Sequence, residues 1–168
     1  MSSIFMLITK VLLLSAVIDP LLPELQSQQR DHLTEKEIDL VKANQEIDMR
    51  TEVFMRAAER RLVVLTDPQA TQKKKEEEIW GPLPKGTPLE LLQDYKRILE
   101  ELEEKLDDAL NRDSRHPSLE KAVKIAKDSA TSQLERLRAL APKVTDDRAQ
   151  RALREAIEEA QLVAKATL

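Results

Sequence analysis

The chain has 168 residues, enough for one domain of ordinary size. Charged residues make up 35% and aromatics only 2%, a profile of long amphipathic helices that excludes a β-sandwich or a typical α/β enzyme. Two glycines rule out Gly-rich phosphate loops, the absence of cysteine rules out disulfides and thiolate chemistry, and a net charge of −4 disfavours a dedicated nucleic-acid binder.

The first element reads as an address. Residues 4–18 form an apolar run interrupted by Lys10 and closed by Asp19-Pro20, with Pro23 and a polar stretch from Gln26 to Arg30 behind it. Counted from Met6, Lys10 makes a short positive region and Val11–Ile18 a short apolar one, as in a secretory signal. No Ala-x-Ala cleavage site follows, and Leu25-Gln26-Ser27 is the nearest substitute. Three readings fit: a signal peptide, an uncleaved membrane anchor, and a buried N-terminal helix. Export is preferred, because Lys10 and Asp19 break the ~20-residue apolar run that a span needs. Residues 1–27 are therefore read as a signal peptide or N-terminal apolar segment, and a periplasmic or secreted location is expected. Membrane anchoring through the N-terminus is the alternative.

Residues 28–168 are read as a single helical bundle domain. Thr34-Glu35-Lys36-Glu37 fits a capping box, with Leu33 and Ile38 flanking it as a hydrophobic staple. No Pro or Gly interrupts the chain from there to Asp67-Pro68, so a long first helix over 34–66 is expected. Leu40, Ile47 and Phe54 lie seven apart, giving a coiled-coil-like seam that Asn44 and Thr51 also join. Glu46/Arg50 and Glu52/Arg56 are spaced as i,i+4 pairs. Over its five residues, Leu33-Thr34-Glu35-Lys36-Glu37 resembles the Leu-Thr-x-x-Gln motif of small periplasmic helical chaperones, with Glu where that motif has Gln. Capping accounts for it fully, and no membership follows.

Residues 67–87 are a connector in which Asp67-Pro68 would open a short helix and Ile79-Trp80-Gly81-Pro82 would end it. Thr87-Pro88-Leu89-Glu90 is a second capping box, opening a helix over 88–112 with the stripe Leu92, Tyr95, Leu99, Leu102, Leu106 and an acidic opposite face. Pro117 opens a helix over 117–141, and Thr145-Asp146-Asp147 caps a last one over 145–167. Short links between these three predict antiparallel neighbours: an up-down three-helix C-terminal unit packed beside the long first helix. The fold class is all-α, a helical bundle of about four main helices.

Chemistry is sparse. His32 and His116 each sit beside a helix start and read as turn or cap residues; Asp113 and His116 lack ligand partners. No acid, base or nucleophile assembles, so no enzyme and no cofactor or metal is expected. Two basic sets, Lys121/Lys124/Lys127 and Arg148/Arg151/Arg154, would suit an anionic partner, but Arg151/Glu155 and Arg154/Glu158 neutralise much of the second. Trp80 has two roles open: anchoring the connector on the bundle, or serving as a partner contact. The expected function is a non-enzymatic interaction or structural module acting through helix–helix contacts, by self-association through residues 34–66 or with a protein partner. The membrane enters only if the N-terminal segment stays uncleaved. The alternative is a small-ligand or metal sensor bundle using Asn44, Thr51 and Tyr95.

Overall fold

A computed structural model describes residues 31–167, so the N-terminal segment, and with it the export reading, lies outside the described residues. Six helices follow in order: α1 Glu35–Ala43, α2 Ile47–Thr66, α3 Lys74–Trp80, α4 Pro88–Arg112, α5 Pro117–Ala139 and α6 Asp147–Lys165. The described residues are all-α. Both capping boxes form: Thr34 with Glu37 at the start of α1, and Thr87 with Glu90 at the start of α4. Pro88 and Pro117 occupy first turns, where a missing N–H costs nothing. Asp146 caps α6 by accepting from the Ala149 N–H.

The expected single helix over 34–66 is instead two. Asn44, extended at φ −98 and ψ 101, ends α1, and α2 begins three residues later. The Asn44 side-chain amide donates to the Leu40 carbonyl at 2.7 Å, and the Arg50 Nε donates to the Asn44 carbonyl at 3.0 Å. Asparagine thus competes with the backbone for its own helix's acceptors. The connector also differs from expectation. Asp67 holds a turn by accepting from the Gln69 N–H, and the short helix α3 opens only at Lys74.

Four helices form the core. α2 packs broadly on α4 and α5, and α6 packs broadly on the same two, while α1 lies across α2 and α3. Around the ring the order is α2, α4, α6, α5. α4 and α5 sit diagonally although only four residues join them, and touch little. This corrects the expected three-helix unit of sequential neighbours: α2 is a full wall of the bundle rather than a helix laid beside it. The C-terminal ends of α2 and α5 meet the N-terminal ends of α4 and α6 around one crevice, so these four helices alternate in direction along the chain. α4 and α6 are consequently parallel neighbours. Phe54, Ala58 and Leu62 from α2, Leu92, Leu99 and Leu102 from α4, Ala126 and Leu137 from α5, and Ala156 and Ala160 from α6 fill the interior. Small alanines on α5 and α6 let those backbones approach closely.

Candidate functional site

The most heavily built polar cluster centres on Glu37. Its side chain is fully buried, and Arg60 and Arg61 beside it are 1% exposed. One carboxylate oxygen accepts from both guanidinium groups at 2.6 Å; the other accepts the Thr34 N–H at 2.8 Å. A single residue therefore completes the α1 capping box and neutralises part of a two-cation cluster on α2. The excess positive charge meets backbone oxygens: Arg60 donates to the Gly81 and Pro82 carbonyls, Arg61 to those of Ala57 and His32. Burial pushes the Arg60 guanidinium down from its ordinary value, while Glu37 opposes that shift.

This cluster mounts Trp80. The Arg60 guanidinium carbon lies 5.8 Å from the centre of the indole, within cation–π range. Trp80 remains partly exposed, and Ile79 beside it is 50% exposed. Gly81 next in line has φ +70 and ψ −179, a conformation open essentially to glycine alone, and a Cβ there would stand 3.0 Å from Lys36 Cγ. Arg56, paired in sequence terms with Glu52, instead bonds Glu76 of α3. The connector is thereby pinned to the bundle at both ends of α3.

A second cluster lies along the parallel helices α4 and α6. Glu159 is only 8% exposed and is hydrogen-bonded to the half-buried Glu103 of α4. Burial, then the Glu159 charge, raises the Glu103 carboxyl to about 7, and burial raises Glu159 as well. Two carboxyls this close relieve their repulsion by sharing a proton. Lys96, at 3.0 Å from Glu100 and 3.8 Å from Glu155, is the nearest cation in this row.

The remaining sequence candidates are dispersed. Asn44 caps α1, the Thr51 hydroxyl donates to the Ile47 carbonyl, and Tyr95 donates to Gln133 at 2.9 Å, so these three do not converge on one pocket. His116 caps α5 by accepting from the Ser118 N–H, and His32 Nε2 lies 2.8 Å from Glu101. Lys121 bonds Asp48 at 2.6 Å and holds that carboxyl below its usual range; Lys124 bonds Asp128. Glu155 faces Lys96 instead of forming the expected ion pair with Arg151. Among the described residues no helix is long and apolar enough to cross a membrane, and no group of three His or carboxylate side chains is placed to hold a metal. A crevice of about 620 Å³ opens at the end of the bundle, floored by Leu65, Leu89, Leu140 and Val144 and rimmed by Lys143 and Arg148 with Asp146 between them in sequence.

Glu37, Arg61, Gln133 and Glu159 were absent from the sequence candidates, yet each left a signal. Glu37 falls between Leu33 and Leu40, Arg61 between Ala58 and Leu65, Gln133 between Ala130 and Leu137, and Glu159 between Ala156 and Val163. Every one interrupts an apolar stripe at spacings of three and four, the mark of a polar side chain that must be buried. Compared with known proteins, the chain matches no family model, no curated protein and no solved structure.

Proposed function

We propose that this chain is a non-enzymatic interaction module of the cell envelope or exterior, exported by its N-terminal segment and acting through helix–helix contacts. The observation that carries the reading is the Ile79–Trp80 corner. An exposed isoleucine and a partly exposed tryptophan sit on a seven-residue helix whose end is fixed by Arg60, Gly81 and Pro82. Large apolar side chains held rigid at the surface are suited to seat in a partner's groove at little entropic cost. Self-association through the 34–66 segment has less support, because Phe54, Ala58 and Leu62 are already buried within the bundle.

Cross-linked capture from envelope extract, comparing the native chain with Ile79→Glu, tests the reading. A partner or a second copy captured by the native chain and lost in the variant is expected. Identical capture by both chains, with a strict monomer by light scattering, overturns it. Mass spectrometry of the mature product tests export separately: an intact N-terminus on a cytosolic chain removes that part.

The second reading, a small-ligand sensor, is favoured by the crevice over Leu65, Leu89, Leu140 and Val144, whose cationic rim suits an amphipathic anion. A long-chain carboxylate that raises the melting temperature of the native chain, but not of Lys143→Gln/Arg148→Gln, supports it. Equal melting with and without the carboxylate removes it.

A further inference from the structure

At the opposite end from the cationic crevice, α4, α5 and α6 enclose a shallow apolar groove of about 360 Å³. Leu119 and Val123 of α5 form its base, and Leu110 of α4 and Leu162 of α6 stand on its rim. Leu110 is 37% exposed and Leu162 58%, two of the most exposed large apolar side chains among the described residues. Glu103 and Asp107 line the same groove, and Glu159 lies behind them. Leucines that solvent reaches, set beside carboxylates with no cation among the described lining residues, present both an apolar and an acidic surface.

We propose that this groove is a docking surface for a basic amphipathic helix of a partner protein, its apolar side chains seated on Leu110 and Leu162 and its lysines or arginines facing Glu103 and Asp107. Charge complementarity selects the occupant. Among the described residues, the groups acting on the Glu103–Glu159 pair are Glu100 and Asp107 on α4 and the cation Lys96, while α6 adds Glu155 further along and α5 lines the groove with Leu119 and Val123. Lys96 is already engaged with Glu100 and Glu155, and the described residues lining the groove include Glu103 and Asp107 but no lysine or arginine. An acidic amphipathic helix meets repulsion there; a neutral one leaves carboxylates facing an apolar surface. A basic helix supplies the positive charge that a proton shared by the Glu103–Glu159 pair otherwise supplies, so docking strengthens as pH rises through about 7, where burial and the Glu159 charge have raised the Glu103 carboxyl.

This partner class rests on the reading of the chain as an interaction module, but on a face distinct from Ile79 and Trp80. The test uses the full chain and a fluorescent 18-residue Leu/Lys amphipathic peptide, with a scrambled Leu/Lys peptide and a Leu/Glu peptide of the same pattern as comparators. Anisotropy should show the patterned basic peptide binding at least tenfold tighter than either comparator. Leu162→Ser and Asp107→Asn should each weaken it at least fivefold, and Glu35→Gln, far from the groove, should leave it unchanged. Affinity should rise from pH 5.5 to 8 in the native chain and stay level in Glu103→Gln. Equal binding of the scrambled peptide, or binding indifferent to Leu162→Ser, overturns the proposal. A native dimer that Leu162→Ser makes monomeric overturns it in favour of a second copy. Failure here with Ile79-dependent capture intact removes the groove's role and leaves the interaction module standing.

Discussion

Glu37 shows how much one side chain can carry. In a straight helix, residues 37 and 60 would be ~35 Å apart at 1.5 Å per residue, yet their side chains meet at 2.6 Å. The chain must fold back between them, and the ion pair and the break at Asn44 are two sides of one fact. Removing the carboxylate charge leaves two guanidinium groups buried together. Glu37→Gln should destabilise the fold by about 3–5 kcal/mol by chemical denaturation, whereas the triple change Glu37→Leu/Arg60→Met/Arg61→Leu should recover most of that loss. A triple variant as unstable as the single one would show that the cluster's packing, rather than its charge balance, is what matters. Gly81 belongs to the same assembly. Its backbone conformation directs its carbonyl at Arg60, and an alanine would be strained and crowd Lys36, so Gly81→Ala should cost about 1–3 kcal/mol. Trp80 emission should shift to the red in that variant as the ring leaves Arg60, and an unchanged spectrum would contradict the coupling.

At the scale of elements, helix starts were legible and long-range pairings were not. Both capping boxes and the prolines at first turns follow from four-residue patterns that depend on nothing distant. The split between α1 and α2 involves no proline or glycine: Asn44 competes locally for its helix's acceptors, and the ion pair that the break permits joins residues more than twenty positions apart, a pairing that local spacing does not specify. Acidic residues at the start of that segment and Arg56, Arg60 and Arg61 at its end fit a helix dipole equally well, so sequence alone assigns these arginines to a solvated face. The α4–α6 pair gives the clearest pH dependence. Because folding raises the Glu103 carboxyl above its ordinary value, the folded chain binds more protons than the unfolded one between about 4.5 and 7. Stability from this pair is present below that window and lost as pH rises through it. With solvent screening at this partly exposed edge, the loss should be on the order of 1 kcal/mol. In Glu103→Gln the fall in melting temperature from pH 5 to pH 8 should shrink by a few degrees, and an undiminished fall would assign the pH dependence to other groups.

Across the whole molecule, the ring order α2, α4, α6, α5 leaves α4 and α5 facing each other over the core with little packing contact. A polar relay spans that diagonal. The Tyr95 hydroxyl of α4 donates to the Gln133 amide oxygen of α5, and the Gln133 amide nitrogen donates to the Met55 carbonyl of α2 at 3.1 Å. Tyr95 is fully buried and Gln133 nearly so, and burial pushes the phenol up from its ordinary value, keeping it a neutral donor. Apolar stripes alone would let the four helices pair in either ring order, because leucine and alanine faces have no directional preference. The relay does have one: its two bonds require α4, α5 and α2 to meet at the level of Tyr95, Gln133 and Met55, and a packing that parts them strands buried polar groups. Tyr95→Phe removes the donor and leaves the Gln133 oxygen buried without it, a loss of about 1–2 kcal/mol. Gln133→Leu should cost a similar amount, and the double variant Tyr95→Phe/Gln133→Leu less than the sum of the two, the non-additivity expected for groups in direct contact. Strict additivity in a denaturation cycle would mean that the relay does not couple the diagonal. A double variant that keeps its melting temperature but loses dispersion in its NMR spectrum would assign the relay to selecting one ring order, since stability and uniqueness of packing are then carried by different residues.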